Sequence, residues 1–230
     1  LILAKQWMDQ IGIPYLAIPG NHDTGANRWR SERFPNSEYY EDVAYEETNF
    51  AKVFQEPAIL QREFDECVVI AFSVREHDPD HVLAPLEKFI QDTVKPVLLF
   101  GHYPVIETRD EGHLYASGHK DFIPASAVDL KGIIERNPHV RIYGCGHIHA
   151  NTIRKLGTSC LQITAGGLGP GASTYRLYSI SQHELHYQTL LGSGALHYLS
   201  GQQIGSYDTF EYHLGSAEER YGTIRLKDEA

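Results

Sequence analysis

Three short apolar segments alternate with two helical patterns, and this alternation is the feature that most limits the folds open to the chain. The apolar segments cover residues 67–74, 96–100 and 140–143, and each has the length of a buried strand. Between them, apolar residues recur at helical spacing over 82–90 and 128–134. The order strand, helix, strand, helix, strand predicts an α/β fold in which helices cover a sheet.

The rest of the chain is predicted to extend this layered arrangement. The further segments are a helix over 1–12 with Leu1, Ala4, Met8 and Ile11 on one face, a strand over 15–18, a helix near 47–55 and a strand over 161–164. From residue 175 to about 226 the alternation predicts antiparallel strands and hairpins. Without a linker or an internal repeat, residues 1–230 are interpreted as a single domain.

Charge and cysteine content exclude several classes of protein. The formal net charge of -10 disfavours a general nucleic-acid binder, because an acidic surface repels phosphate backbones. Cys67, Cys145 and Cys160 are too few, and odd in number, for a disulfide framework, so a reducing, cytoplasmic location is predicted. The apolar runs are too short to cross a bilayer, so no membrane partner is predicted.

Three polar clusters follow predicted strands, where ligands bind in open α/β sheets. They are Gly20-Asn21-His22-Asp23, Gly101-His102-Tyr103-Pro104 and Gly146-His147-Ile148-His149. Neutral imidazole is a common ligand for transition metals, and amide or carboxylate oxygen adds a harder donor. His147 and His149 are separated by one residue, so on an extended segment both would face the same way. The clusters together predict a metal site.

In this order, the Asn-His-Asp, Gly-His-x-Pro and Gly-His-x-His motifs resemble the signature of the calcineurin-like metallophosphoesterases. The resemblance covers roughly residues 1–182 and implies a four-layer αββα sandwich of mixed sheets. It implies hydrolysis of a phosphomonoester or phosphodiester by a hydroxide activated at two divalent or trivalent transition metals, with Mn, Fe or Zn all suited to these ligands. The partner implied is a small phosphorylated substrate.

The resemblance also implies a role for each motif residue. Asn21, His102 and His147 would bind the second metal, and His149 would bind the first. His22 would protonate the leaving oxygen or stabilise the transferring phosphoryl group, and Asp23 would orient the His22 ring.

The chain departs from the family pattern at two motifs. The family carries an Asp-x-His motif and a Gly-Asp motif that supply further ligands, and neither motif occurs in these 230 residues. Residues 1–11 match the helix that follows Gly-Asp in the family. The resemblance therefore implies that the fold lacks its first βαβ portion here, that the missing ligands lie upstream, and that this chain alone has little or no activity.

Two alternatives remain open at this point. A non-catalytic scaffold with a metallophosphoesterase-like fold could bind a partner through the same surface. The run Gly101-His102-Tyr103-Pro104-Val105 also resembles the tartrate-resistant type of purple acid phosphatase. Neither the substrate nor the oligomeric state follows from the sequence, since specificity in such folds resides in loops.

Overall fold

The computed structural model describes residues 1–24, 43–109, 122–168, 173–192 and 210–227. The helices are α1 (Ile2–Ile11), α2 (Asn49–Phe54), α3 (Leu83–Gln91), α4 (Ala127–Arg136), α5 (Phe210–Leu214) and α6 (Ala217–Arg220), with a 3-10 turn at Tyr45–Glu47. The strands are β1 (Ile59–Glu63), β2 (Val68–Phe72), β3 (Val97–Phe100), β4 (Val140–Cys145), β5 (Thr152–Leu156), β6 (Cys160–Thr164), β7 (Thr174–Ile180), β8 (Glu184–Leu191) and β9 (Tyr221–Arg225).

A six-stranded sheet in the order β1-β2-β3-β4-β6-β5 forms the centre of the fold. Its four inner strands, β2, β3, β4 and β6, run parallel, and β1 and β5 are antiparallel at the edges. The inner strands are almost continuously apolar, as in VVIAF of β2, because both faces of such a sheet are buried. Parallel pairing places the carboxyl ends of β3 and β4 at the same edge.

Successive residues of β3 show how the sheet is buried between two layers. Leu99 faces a core cluster shared with Leu86 of α3 and Ile133 of α4. Leu98 faces the other way, into a cluster with Ile142 and with Leu185 of a second sheet. That second sheet is antiparallel, in the order β7-β8-β9. Helices on one face and an antiparallel sheet on the other confirm the predicted fold class, a mixed α/β sandwich.

Helix α1 contributes little to either core cluster. It ends at Gly12, which has a left-handed φ of 71° and donates its N–H to Asp9 O. None of its residues is buried, although Leu1, Ala4, Met8 and Ile11 share a face as the pattern predicts. Of that face, Met8 packs partly against the small cluster of Tyr45, Phe50 and Phe54.

Several local predictions differ from the structure. Residues 15–18 form no strand, because no neighbouring backbone among the described residues pairs with them. The edge strands β1 and β5 were not predicted, since their polar and charged residues give a weak apolar pattern. The region predicted as antiparallel strands to about residue 226 contains helices α5 and α6 before β9. No helix in the described ranges is long and apolar enough to cross a membrane.

Candidate metal centre

The second and third polar clusters lie side by side at the carboxyl edge of the parallel sheet. Gly101 and His102 follow β3 directly, and Gly146 follows β4. Two backbone hydrogen bonds join these turns: Gly101 N donates to Gly144 O at 2.9 Å, and Gly146 N donates to His102 O at 2.9 Å. The pairing of two adjacent parallel strands therefore brings the two histidine turns together.

Three of the side chains singled out in the sequence meet at one atom. His102 Nε2 lies 3.0 Å from Asn21 Oδ1 and 3.2 Å from His147 Nδ1. The His102 and His147 rings are 5.0 Å apart between centroids, with 69° between their planes. Residues 81 and 45 positions apart in sequence thus place nitrogen and oxygen donors in contact.

The spacing of these donors fits a metal ion. Metal–nitrogen bonds of about 2.0–2.1 Å place two ligands at octahedral or tetrahedral angles about 2.9–3.4 Å apart. Both observed separations, 3.0 and 3.2 Å, fall in that range. Asn21 offers an oxygen and His102 and His147 offer nitrogens, a donor set that suits transition metals.

The surroundings of His102 keep its ring neutral. Burial lowers the pKa of His102 to about 3, and the neighbouring His147, His149 and His22 lower it in the same direction. A neutral imidazole retains a lone pair for a metal ion. The effects of His149 and His22 are electrostatic and act through space, and the His22 side chain is exposed.

Aromatic side chains enclose the imidazoles. The Tyr103 ring lies edge-on to His102 and His147, with centroids 4.9 and 4.8 Å away, and Phe122 lies 5.3 Å from His147. The backbone of Tyr103 is held by Tyr143, whose hydroxyl donates to Tyr103 O at 2.5 Å. The fully buried Tyr143 therefore couples the core of the sheet to the turn that carries His102.

The first cluster forms a tight turn that is fixed by Asp23. Gly20 N donates to Asp23 Oδ2 at 2.9 Å, and Asp23 N donates to Gly20 O at 3.0 Å. A Cβ at Gly20 would lie 2.8 Å from the His102 ring, so only glycine allows this approach. The structure shows Asp23 fixing the backbone that presents Asn21, while its predicted effect on the His22 ring stays a prediction.

The turn after β4 differs from the extended segment predicted from its His-x-His spacing. His147 and His149 both have left-handed backbones, with φ of 66° and 53°, and flank the buried Ile148. The prediction of an extended segment is therefore wrong, and the rule that alternate residues face the same way does not apply to this turn. The His149 side chain is exposed to solvent overall. Desolvation of its ring by nearby atoms lowers its pKa, and His213 and His22 lower it further.

One residue near the centre had no signal in the sequence. His213 of α5 donates from Nδ1 to His149 O at 2.8 Å, 64 residues away in sequence. It belongs to no recognisable motif, so only the folded chain reveals its place. By contrast, Cys145 at the end of β4 is buried, and burial raises the pKa of its thiol.

The described donors are too few for two complete metal sites. Across residues 1–24, 43–109, 122–168, 173–192 and 210–227, no group of three or more His, Cys, Asp and Glu side chains is placed to hold a metal ion. The cluster around His102 reaches three donors only with the amide of Asn21. Two further histidines in the segment after His102, His113 and His119, lie outside the described residues.

Comparison with known proteins places the chain in a family. A solved dimetal phosphatase from Danio rerio has a similar fold, with a TM-score of 0.53 and 12% identity over 80% of this chain and 72% of that chain. No curated protein matches the chain. The family model for calcineurin-like phosphoesterases matches residues 2–151, a range that contains all three polar clusters. The chain belongs to the calcineurin-like phosphoesterase family, and this membership supports a metal-dependent phosphoesterase activity.

Proposed function

We propose that Asn21, His102 and His147 hold one metal ion of a centre that hydrolyses a phosphomonoester or phosphodiester. The observation that carries this proposal is the convergence of Asn21 Oδ1 and His147 Nδ1 on His102 Nε2, at 3.0 and 3.2 Å. Membership of the calcineurin-like phosphoesterase family supports the reaction class. Manganese, iron and zinc all suit this set of nitrogen and oxygen donors.

A bound transition-metal ion would supply positive charge that polarises a phosphoryl oxygen and lowers the pKa of water. The chain's own part is to present neutral ligands at fixed spacing. Burial keeps His102 uncharged, the Tyr143 hydroxyl fixes the Tyr103 backbone beside it, and the Asp23 carboxylate fixes the turn that carries Asn21.

His149 is proposed as a ligand of a second metal ion. It lies two residues after His147, in the same turn at the carboxyl end of β4. The proposed ligands are therefore three for one ion and one for the other. A single imidazole holds a metal weakly, so the 230-residue chain is expected to bind one ion tightly and to turn over substrate slowly.

His22 is proposed as the acid that protonates the leaving oxygen, with Asp23 orienting its ring. His22 is exposed and directly follows the ligand Asn21, so it can reach a substrate held at the metal centre. Because His22 is not a ligand in this scheme, its removal should affect the reaction and spare metal binding.

Metal content tests the ligand assignment. With Mn²⁺ supplied, the 230-residue chain should retain about one ion after dialysis, since three donors converge on one position. His102→Ala should lower the retained metal at least tenfold, because one of three protein ligands is lost. His186→Ala is the matched control, since His186 is exposed on β8 and contacts Thr223. Equal retention in both variants would refute the assignment of His102.

Hydrolysis of p-nitrophenyl phosphate and bis(p-nitrophenyl) phosphate tests the reaction. Turnover should require metal. Faster hydrolysis of the monoester would indicate a monoesterase, and faster hydrolysis of the diester would indicate a diesterase. His22→Ala should lower turnover about 10²-fold or more while metal content is kept. A parallel loss of metal and turnover in His22→Ala would contradict the acid role.

A non-catalytic binding scaffold is the second candidate, favoured by the small number of metal-ligating side chains that the described part of the chain brings together. It predicts a folded chain whose thermal stability does not change when Mn²⁺, Fe³⁺ or Zn²⁺ is added. A purple-acid-type phosphatase, the other alternative, would instead strongly prefer the monoester substrate.

A further inference from the structure

The turn that carries His149 needs anchoring from outside itself. His147 and His149 both have left-handed backbones, which side chains other than glycine rarely adopt. Such a conformation persists only where the surroundings hold it. Ala150 and Asn151, which follow the turn, are completely buried, so the anchor must lie in the residues packed on them.

Part of this anchor is α5. Asn151 N donates to His213 O at 2.9 Å, and Asn151 Nδ2 donates to the same oxygen at 2.9 Å. His213 Nδ1 in turn lies 2.8 Å from His149 O. A carbonyl oxygen only accepts, so Nδ1 of His213 carries the proton. These three bonds bracket the backbone between His149 and Asn151.

Arg109 adds a second anchor from the loop after β3. Its Nη2 donates to Asn151 O at 3.1 Å and to Tyr212 O at 3.1 Å, and its Nη1 pairs with Glu219 Oε1. The guanidinium also lies 5.4 Å from the centroid of the Tyr212 ring. A single side chain therefore joins the turn after β4 to α5 and α6, and its ion pair is largely shielded from water.

Glu219 is itself held in place. Ser216 N donates to its Oε2 at 2.8 Å, which leaves Oε1 for Arg109. Between the two short helices, Gly215 has a φ of 82°, and a Cβ there would lie 2.5 Å from Asn151 O. The helix pair thus packs directly against the turn, with no room for another side chain.

We propose that Arg109, His213 and Glu219 are positioning residues that hold the left-handed turn carrying His149 and so fix the position of its side chain. This inference rests on the proposed function, in which His149 is a metal ligand. It assigns a role to helices α5 and α6: they fix the backbone of the turn that follows β4. Loss of the anchor should release His149 and leave the donors around His102 in place.

Hydrogen exchange of the 230-residue chain without metal tests the anchoring. In Arg109→Lys and Glu219→Gln, the Asn151 amide should exchange about tenfold faster or more, because a charge-assisted contact to its turn is lost. Amides of β3 should be unaffected. Glu87→Gln is the matched control, since it removes the charge from an exposed pair with Arg136. Unchanged exchange at Asn151 would overturn the anchoring.

Zn²⁺ titration of the ¹⁵N-histidine-labelled chain tests the effect on the ligand. In the wild type, the ring signals of His102, His147 and His149 should shift. In Glu219→Gln and His213→Ala the His149 shift should be lost while the others remain, and His213→Asn, which keeps an N–H donor, should restore it.

The two proposals fail in different ways. A His149 ring that responds equally in every variant would overturn the positioning role and leave the metal centre intact. Zn²⁺ that shifts none of the three rings in the wild type would overturn the proposed function and, with it, the ligand role of His149.

Discussion

The parallel sheet and the N-terminal helix make contrasting contributions to one centre. In the sheet, Ile142 is 0% exposed and packs on both neighbouring strands and on the second sheet. In α1, by contrast, Ile11 is 66% exposed and Trp7 is 60% exposed, and no residue of the helix is buried. His102 and His147 belong to the first region, whereas Asn21 follows the second.

This contrast shows how structural stability is distributed among the three proposed ligands. The histidines follow strands whose side chains are mostly buried, while Asn21 is placed by its own turn and by contact with His102. Local opening requires little free energy where few apolar contacts are buried. We therefore expect Asn21 to be the first of the three proposed ligands to leave the centre. Four predictions test the comparison.

The largest expected effect compares two isoleucines. Ile142→Ala should lower the free energy of unfolding by about 4 kcal/mol, because it removes buried methyl groups and leaves a cavity. Ile11→Ala on the exposed face of α1 should change it by less than about 0.5 kcal/mol. Urea denaturation followed by circular dichroism measures both. Equal losses would show that α1 is packed as tightly as the sheet.

The second prediction concerns the ion pair of Arg75 and Asp80, which links the 3-10 turn at Tyr45–Glu47 to the loop after β2. Arg75 is 3% exposed, and Asp80 pairs with it and also accepts from Tyr45 N at 3.1 Å. Asp80→Ala should cost about 3 kcal/mol, since Arg75 is left buried without its carboxylate. Glu87→Ala, which breaks an exposed pair with Arg136, should cost less than about 1 kcal/mol. Similar losses for both would contradict this view of the pair.

The third prediction concerns the pH dependence of the stability that Glu219 contributes through its pair with Arg109. Burial disfavours the Glu219 carboxylate, but hydrogen bonds from Arg109 and Ser216 outweigh it and lower the pKa of Glu219 below the usual 4.5. A lowered folded-state pKa gives stability that is present above the unfolded pKa and is lost as pH falls below about 4.5.

Melting temperatures between pH 7 and pH 4 measure this effect. The advantage of the wild type over Glu219→Gln should be full at pH 7 and shrink as the pH falls to 4. Glu135→Gln, which alters an exposed pair with Lys131, serves as the control and should show no such trend. A constant difference between wild type and Glu219→Gln would argue against the ion pair.

The smallest expected effect concerns the reactivity of the cysteine thiols, with no change in the stability of the chain. Cys67, Cys145 and Cys160 are all buried in the sheet region, and burial raises the pKa of Cys160 to about 12. None should react with iodoacetamide in the native chain, because the thiolate is both disfavoured and inaccessible. Ala4→Cys on exposed α1 should react rapidly, as mass spectrometry would show. Rapid native modification of Cys145 would mean that the sheet opens near the centre.

Much of the central fold could be predicted because its signals are local. Apolar runs predicted β2, β3 and β4, and helical spacing predicted α3 and α4 between them. Edge strands β1 and β5 were missed, since half-exposed strands carry polar residues that resemble loops. Residues 15–18 have the composition of a strand but form none in the structure, because a strand exists only with a paired neighbour.

For the centre, the sequence by itself determined which side chains follow the carboxyl ends of strands, as with His102 after β3 and His147 after β4. Only the tertiary structure decided that Asn21 contacts His102, 81 residues away in sequence. It also decided that the backbone of His149 is left-handed and that the His213 ring donates a hydrogen bond to the His149 carbonyl. Apolar periodicity reports on the burial of each segment within a few residues. Contacts between distant side chains depend instead on how all the segments pack, which no local pattern records.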